Sequence, residues 1–238
     1  MTHDAFKRDA LKGKRILVTG GGGGLGLEIA RGYAAHGAAV HISGRRGNLL
    51  EAAAAEIAEQ TGAEVRSHVC DVRDAEAVDA MIAEAWSHGP LTGLVNNAAA
   101  NFVAPTNALT PNGFRAVTST VMDGSFYCTL SVGRRWIEQG LRGSVVSNLV
   151  TWVWTGSAFV TPSAMAKSAI HAMTMSLAVE WARYGIRLNA IAPGPFPTPG
   201  AWEKLNPIPE TESTATSDRA VPLGRFGEMH ELSNLHVF

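Results

Sequence analysis

Short apolar runs rich in β-branched residues alternate along the 238-residue chain with longer segments in which apolar residues recur at helical spacing. We predict strands at residues 15–19, 39–43, 64–70, 93–96, 143–148 and 187–191, and helices at 25–36, 48–61, 75–88, 110–139, 163–184 and 228–238. Helices between successive strands favour right-handed crossovers and a doubly wound parallel sheet with helices on both faces. Because no segment has the composition of a linker, we expect one α/β domain over residues 1–238.

Five consecutive glycines, Gly20 to Gly24, follow the first predicted strand and open the first predicted helix. The first amides of a helix have no partner within it, so they can bind an anion. A side chain at Gly20 or Gly24 would hold a pyrophosphate away from these amides, and one at Gly26 would hold the helix off the strand. With Leu25, this turn predicts a dinucleotide site. The alternative is a flexible linker, which fits poorly between a strand and an amphipathic helix.

Composition narrows the classes of partner. Lys and Arg total 20 against 21 Asp and Glu, so the net charge is −1, and no basic run is dense enough for nucleic acid or an anionic membrane. The two cysteines form no zinc-type spacing, and we predict no metal. The first residues are polar and no stretch is apolar enough to span a bilayer. We expect an intracellular, cytoplasmic protein that acts on a small molecule.

The end of the second predicted strand indicates which nucleotide is bound. Dinucleotide folds commonly place a carboxylate about twenty residues past the glycines, where it bonds the ribose hydroxyls and repels a 2′-phosphate. Here Arg45 and Arg46 follow Gly44 instead. Because a guanidinium can bind a phosphate bidentately, this favours NADP(H). The alternative is a solvated basic turn.

The glycine spacing Thr19-Gly-x-x-x-Gly-x-Gly26 resembles the fingerprint of the short-chain dehydrogenase/reductase family. Asp71-Val72 is similar to the family's adenine-binding pair, and Asn96-Asn97-Ala98-Ala99 to its Asn-Asn-Ala-Gly motif. The resemblance implies cofactor contacts at Asp71, Val72, Asn97 and Ala98, and after the last strand at Pro193, Gly194, Pro195, Phe196 and Thr198. The segment 193–217, rich in proline and then in serine and threonine, is expected to be a lid or mobile loop, or else disordered.

Family members usually have Tyr-x-x-x-Lys on the helix after the fifth strand. Here Lys167 is present, but Ser163 stands four positions earlier in place of the tyrosine. The family's serine position falls at Val150, with Thr151 beside it, and its helical asparagine position falls at Val121. A general carbonyl reductase of this family would therefore lack three of its four catalytic groups.

A narrower resemblance accounts for most of this difference. The segments 96–102, 161–167, 177–181 and 193–196 together resemble the 2,4-dienoyl-CoA reductase branch, over a similarity that runs from about Lys12 to the end. That branch has serine in place of tyrosine, and the resemblance implies active-site roles for Ser163, Lys167 and Asn101. Trp152 aligns with a tyrosine that transfers a proton in mitochondrial members; an indole N–H donates but does not titrate usefully.

The branch also implies substrate contacts. Arg73 is expected at the CoA phosphates, Phe102 at the acyl chain with Trp152 as a possible pocket wall, and Lys204 where the branch tends to have arginine. Structural alternatives stand beside these roles, since Arg73 fits a surface charge beside Asp74, Asn101 a turn cap, Ser163 part of a helix start, and Trp152 loop packing. Lys167 is the strongest candidate, because a buried lysine keeps its charge only with partners such as ribose hydroxyls.

The resulting hypothesis is an NADP(H)-dependent oxidoreductase of fatty acid metabolism that reduces a 2,4-dienoyl-CoA or related enoyl thioester. The hydride is expected at the far end of the conjugated system, with Asn101 and Ser163 donating to the developing oxyanion. The proton donor is left open, with water relayed through Lys167 or Thr151 as our interpretation. The alternatives are a carbonyl reductase acting on another small substrate and an NADP(H)-binding regulatory protein that has lost catalysis. Relatives imply a homo-oligomer, a tetramer or dimer packed through the long helices, and a final strand and tail not found in this sequence.

Overall fold

The computed structural model describes residues 6–198 and 221–238, with a six-stranded parallel sheet at the centre. The strands are β1 (Arg15–Thr19), β2 (Ala39–Gly44), β3 (Val65–Val69), β4 (Gly93–Asn96), β5 (Gly143–Asn148) and β6 (Ile186–Ile191). Their spatial order is β3-β2-β1-β4-β5-β6, and every neighbouring pair is parallel. The order reverses between β1 and β4, which is the switch point where doubly wound sheets bind nucleotides. The predicted α/β class is therefore confirmed.

The helices connect and cover the strands. They are α1 (Gly24–Ala35), α2 (Gly47–Thr61), α3 (Ala75–Ser87), α4 (Pro111–Thr118), α5 (Gly124–Glu138), α6 (Trp152–Thr155), α7 (Thr161–Trp181) and α8 (Met229–Val237). Short 3₁₀ turns lie at Thr106–Ala108 and Ala182–Tyr184, and a π-helical turn at Ser119–Asp123 joins α4 to α5. No helix within the described residues is long and apolar enough to cross a membrane.

Two apolar layers cover the two faces of the sheet. On one face, side chains of β1 and β2 such as Val18 and Ile42 pack against α1, α2 and α8. On the other face, Leu17 and Leu94 pack with residues of α3, α5 and α7. A third cluster lies beneath the carboxyl ends of β4 and β5 and includes Val121. Burial on both faces explains why the strands appear in the sequence as continuous apolar runs.

Two tryptophans of the second layer lie directly against glycines. A Cβ atom on Gly143 would come within 2.4 Å of the Trp136 indole, and one on Gly133 within 2.4 Å of the Trp181 indole. Trp136 is fully buried and donates its Nε1–H to the Leu91 carbonyl at 2.6 Å. The absence of a side chain at each glycine therefore provides the space that an indole fills.

The predicted bounds of β1, β4 and β5 coincide with those observed, and most other ends differ by one or two residues. The helix predicted at 110–139 is wrong in detail, because Thr110 caps α4 and five residues take the π-helical form before α5. Thr110 accepts a hydrogen bond from the Gly113 amide at 3.0 Å, which stabilises the start of α4. The sequence pattern also missed α6, which is a single turn between β5 and α7.

Candidate cofactor and active site

The glycine turn lies at the carboxyl end of β1, at the switch point of the sheet. Gly20 and Gly24 have φ values of +69° and +54°, which favour glycine. A Cβ on Gly26 would lie 2.2 Å from the Gly20 carbonyl oxygen, so only glycine allows α1 to begin this close to the turn. The turn is held by the Gly20 amide, which donates to the Ser43 carbonyl at 2.7 Å.

The first turn of α1 presents its amides without side-chain competition. Its N-cap residue, Gly23, makes no side-chain cap, and the first turn contains no acidic residue. A Cβ on Gly23 would meet no atom within 4 Å, so the space in front of the helix start is open. A bare, uncapped helix start of this kind fits a pyrophosphate, and the residues present therefore fit a dinucleotide cofactor. Leu25 is half-buried in the same turn.

Arg45 and Arg46 follow β2 beside this turn, and both are exposed. Within the described part of the chain, neither guanidinium forms a hydrogen bond or an ion pair, so both remain able to bind a phosphate. The charge of Arg45 contributes to lowering the pKa of Asp71. Arg45 and Asp71 are therefore close enough for their charges to interact.

Asp71 and Arg73 form an ion pair at the carboxyl end of β3. Arg73 Nε donates to Asp71 at 2.9 Å and Nη2 at 2.5 Å, and these bonds are the main cause that lowers the pKa of Asp71. Arg73 is thus an exposed surface charge, paired with Asp71, while the carboxylate of the adjacent Asp74 caps α3. Val72 is buried against Gly124, so its side chain belongs to the apolar core.

Asn97 joins the first and fourth strands at the base of the site. Its side-chain Nδ2 donates to the Thr19 carbonyl at 2.9 Å, and the Asn97 and Ala98 amides both donate to the Thr19 hydroxyl at 3.0 Å. A Cβ on Gly20 would lie 3.1 Å from both Asn97 Nδ2 and the Ala98 Cα. Asn97 and Ala98 therefore lie directly beside the glycine turn, at the position where the sequence predicted cofactor contacts.

Lys167 and Ser163 lie one helical turn apart on the inner face of α7, and both are buried. The Lys167 ammonium donates a short hydrogen bond to the Asn148 carbonyl at the end of β5. Burial lowers the pKa of Lys167 to about 8. The Ser163 hydroxyl forms no hydrogen bond within residues 6–198 and 221–238. Ser163 also does not cap α7, because Val160 occupies the N-cap position.

The loop after β4 is tied to the segment that leads into α7. The Ala104 amide donates to the Phe159 carbonyl at 2.9 Å, and the hydroxyls of Thr106 and Thr161 are 2.9 Å apart. Phe159 has a φ of +65°, an unusual conformation for a residue other than glycine, and such strain is often found near functional sites. This tie holds the loop that bears Asn101 beside the start of α7.

Asn101, Phe102, Thr151 and Trp152 occupy two loops beside α7. Asn101 is half-buried, and its Oδ1 accepts from the Phe102 amide at 3.0 Å, which leaves its amide Nδ2 for another partner. Phe102 packs against the third apolar cluster. Thr151 is exposed at the start of α6, and Trp152 is half-buried in that turn.

Val121, in place of the family's helical asparagine, lies in the π-helical turn and is fully buried. Its carbonyl accepts from the Ser125 hydroxyl at 2.6 Å. A π-helical turn within an α-helix frequently marks a functional site. The polar partner of Lys167 is thus on β5 rather than on this helix.

The loop after β6 returns to the glycine turn. Thr198 is buried, and its hydroxyl lies 3.8 Å from the position of a Cβ on Gly24. The Phe196 ring packs over Gly227 and against the apolar layer of α1 and α8. Pro193, Gly194 and Pro195 lie half-buried or exposed between them. Lys204 lies outside the described residues.

Sequence reasoning missed Asn148 and His236. Asn148 Nδ2 donates to Asn97 Oδ1 at 3.0 Å, and Asn148 Oδ1 lies 3.0 Å from His236 Nε2 on α8. The signal that was available is the position of Asn148, a polar residue at the end of a buried strand. Nothing in the local pattern connects it to a histidine 88 residues later.

A doubly wound parallel sheet with an uncapped glycine turn at its switch point defines a nucleotide-binding protein. Comparison with known families agrees with this class: the family described as short chain dehydrogenase matches residues 14–207. The chain belongs to that family of oxidoreductases.

Individual relatives narrow the resemblance. A probable 2,4-dienoyl-CoA reductase of Bacillus subtilis, named as (2E)-enoyl-CoA-producing, is 40% identical over 227 residues, covering 94% of this chain and 88% of the relative. The crystal structure of a short chain dehydrogenase from Bacillus anthracis has a TM-score of 0.83 and 38% identity, covering 93% of this chain and 86% of that one. A gluconate 5-dehydrogenase from Burkholderia cenocepacia, in complex with NADP and tartrate, has a TM-score of 0.87 and 32% identity over 99% of this chain and 91% of its own. The resemblance to the dienoyl-CoA reductase branch is confirmed, and relatives with other substrates share the fold.

Proposed function

We propose that the protein is an NADPH-dependent reductase of 2,4-dienoyl-CoA or related enoyl thioesters. The observation on which this depends is the Ser163–Lys167 pair, buried on one face of α7 where most members of the family have tyrosine and lysine. A serine cannot act as the titrating acid that ketone reduction in this family uses. A donor that only stabilises an oxyanion suits a conjugated thioester better. The similarity to the Bacillus subtilis relative supports the same substrate class.

The preference for NADPH depends on Arg45 and Arg46. Both guanidiniums are exposed beside the glycine turn and are unpaired within the described residues. A 2′-phosphate would provide the partner that they lack. The gluconate dehydrogenase relative crystallised with NADP supports phosphorylated nicotinamide as a cofactor of this fold.

The remaining roles in the proposed reaction are cofactor binding, stabilisation of the oxyanion and substrate contact. The nicotinamide, when bound, supplies the hydride. Lys167, whose pKa is about 8, is mostly protonated at neutral pH and can donate to ribose hydroxyls and add positive charge. Within the described residues, the Ser163 hydroxyl and the Asn101 Nδ2 have no hydrogen-bond partner, so both can donate to the thioester oxygen as charge develops there. In this proposal Phe102 contacts the acyl chain, and Arg73 contacts CoA phosphates after giving up its pair with Asp71.

The proton for the carbon next to the thioester carbonyl requires a source. Trp152 occupies the position of the branch's tyrosine and cannot titrate. Water, relayed through Lys167 or the exposed Thr151, is the source that we propose. Slow turnover with an otherwise intact oxyanion site is the expected consequence.

The decisive experiment combines the protein with NADPH and 2,4-hexadienoyl-CoA, and follows the absorbance of the reduced nicotinamide. Consumption that depends on the thioester supports the proposal. Binding of NADPH without turnover of any enoyl thioester or ketone would contradict it and would favour a regulatory, nucleotide-binding role. The Lys167→Ala variant is expected to weaken NADPH binding and abolish turnover. Lys14→Ala, a change of the same kind at an exposed position, is the matched control.

A second candidate is a dehydrogenase of sugar acids or alcohols. The relative that supports it is the gluconate 5-dehydrogenase, which shares the fold over nearly the whole chain. The same assay run with gluconate and NADP in the oxidative direction distinguishes the two. Activity with gluconate and none with the dienoyl thioester would replace the first proposal by the second.

We also propose a cytoplasmic homo-oligomer. The long helices leave large apolar side chains exposed, including Phe126 on α5 and Met175 and Val179 on α7, of which Val179 is 82% exposed. Exposed apolar patches of this kind commonly mark interfaces between subunits. Light scattering after gel filtration is expected to give the mass of a dimer or tetramer, and Val179→Glu should shift it toward the monomer. A monomeric wild-type protein would refute this assembly.

A further inference from the structure

A directed chain of hydrogen bonds, partly buried at Asn97 and buried at His236, runs from β1 to α8. Asn97 Nδ2 donates to the Thr19 carbonyl at 2.9 Å, Asn148 Nδ2 donates to Asn97 Oδ1 at 3.0 Å, and Asn148 Oδ1 lies 3.0 Å from His236 Nε2. His236 and Asn148 are 5% and 4% exposed. The chain links three strands of the sheet to a helix more than 80 residues away in sequence.

The polarity of the chain bears on which nitrogen of His236 carries the hydrogen. A carbonyl can only accept, so the amide nitrogen of Asn97 faces Thr19 and its oxygen faces Asn148. By the same rule, Asn148 directs its nitrogen to Asn97 and its oxygen to His236 Nε2, while the Leu232 carbonyl lies 3.0 Å from Nδ1. Burial lowers the pKa of His236 to about 4, so the ring is neutral at pH 7 and has one hydrogen for these two acceptors. We place it at Nε2, because the Asn148 oxygen has no other donor within the described residues.

Asn148 connects this chain to the reacting part of the site. Its backbone carbonyl accepts the hydrogen bond of the Lys167 ammonium, while its side chain bridges Asn97 and His236. Asn148 thus contacts both Asn97, beside the glycine turn, and Lys167, whose hydrogen-bond partner within the described residues is the Asn148 carbonyl. Burial is the cause of the Lys167 pKa shift, and no charged group contributes to it.

We propose that His236 is a positioning residue that, through Asn148, holds Lys167 and Asn97 in the arrangement required for cofactor binding. The inference depends on the proposed nucleotide site, since His236 itself does not reach the glycine turn. Loss of the His236 ring leaves the Asn148 side chain without its partner on α8, so the end of β5 at Asn148 is expected to shift and weaken the hydrogen bond from Lys167 to the Asn148 backbone carbonyl. The helix α8 thereby affects the site without contacting the cofactor itself.

The test compares three variants of the full chain. His236→Leu removes the donor at similar volume, and His236→Gln restores an N–H near the position of Nε2. Leu232→Ala, on the same helix and also buried, weakens the packing of α8 but keeps the backbone carbonyl that contacts His236. NADPH dissociation constants are measured by calorimetry, and unfolding midpoints in urea for each variant.

His236→Leu is expected to weaken NADPH binding about tenfold, equivalent to about 1.4 kcal/mol, with His236→Gln close to wild type. Leu232→Ala should lower the unfolding midpoint and leave the dissociation constant almost unchanged. Equal dissociation constants for wild type and His236→Leu would overturn the inference, as would a loss of affinity in Leu232→Ala as large as that in His236→Leu. A wild-type protein that binds neither NADPH nor NADH would instead refute the proposed function.

A measurement on the free protein tests the same inference without any nucleotide. The sequence has five lysines, at 7, 12, 14, 167 and 204, so ¹³C-labelled lysine gives few signals, and Lys167→Met assigns the one of interest. Because a hydrogen bond to the ammonium favours the charged form, the pKa of Lys167 should fall in His236→Leu and recover in His236→Gln. Nitrogen NMR should find His236 as the Nε2–H tautomer. An Nδ1–H tautomer, or an unchanged Lys167 pKa, would overturn the proposal.

Discussion

A buried histidine pair in the sheet makes the stability of the fold sensitive to acid. His41 in β2 and His68 in β3 stack with ring centroids 5.0 Å apart, and His41 Nδ1 lies 2.7 Å from His68 Nε2. Arg15 donates to His41 Nε2 at 3.3 Å, so that nitrogen must accept and Nδ1 must donate. A proton added to His41 would break one of these bonds. Burial is the main cause that lowers the pKa of His41 from 6.5 to about 3.

The magnitude follows from proton linkage. A depressed histidine pKa means that the unfolded chain binds the proton more readily, so stability is complete above about pH 6.5 and falls as the pH drops toward the folded value. Over the two units from 6.5 to about pH 4.5, at about 1.36 kcal/mol per unit, His41 alone removes about 2.7 kcal/mol from the free energy of unfolding. This loss is a large fraction of the total free energy of unfolding of a typical domain.

The assay is urea unfolding at about pH 7.5 and about pH 4.5, compared between wild type and His41→Phe, which keeps a stacking ring but has no proton to gain. The wild type is expected to lose about 2 to 3 kcal/mol more between the two pH values than the variant loses. Ile42→Val, a buried change in the same strand, is the control and should shift both measurements equally. A variant with the wild-type pH dependence would refute the reasoning.

Three further predictions concern the site. Gly26→Ala should abolish dinucleotide binding and lower the melting temperature, because its methyl would overlap the Gly20 carbonyl; retained NADPH affinity would contradict the role given to the turn. Arg45→Glu should weaken NADPH binding about tenfold or more and leave NADH binding intact, by calorimetry; an equal loss for both would remove the phosphate contact. Trp152→Tyr should raise turnover of dienoyl-CoA through a phenolic proton donor, with Trp152→Phe as control, and no gain would show that protonation does not limit the rate.

The local pattern of apolar and polar residues was sufficient to predict those parts of the fold that depend on neighbouring residues in the sequence. The bounds of β1, β4 and β5 follow from apolar runs that end in glycine or polar residues, and both faces of these strands are buried. The position of the glycine turn and of Lys167 could also be predicted, because each depends on a spacing within one or two turns of chain.

The rest depends on contacts that no local pattern contains. The π-helical turn at Ser119–Asp123 arises in the middle of a continuous helical pattern, where the Ser125 hydroxyl takes the Val121 carbonyl. Arg73 pairs with Asp71 rather than with Asp74 because the chain after β3 turns directly into α3, where the Asp74 side chain caps the first helical turn. The partner of Lys167 and its link to His236 are formed by elements that meet only when the sheet is complete.

The two glycines beneath the indoles of Trp136 and Trp181 have an evolutionary consequence. Since each ring fills the volume that a methyl group on the glycine would occupy, neither member of a pair can enlarge alone. Divergent relatives should therefore exchange bulk between the two positions together, with a larger residue at 143 accompanied by a smaller one at 136. Such covariation would mark this side of the sheet as a constraint inherited for packing, separate from the constraint that chemistry imposes on the opposite edge.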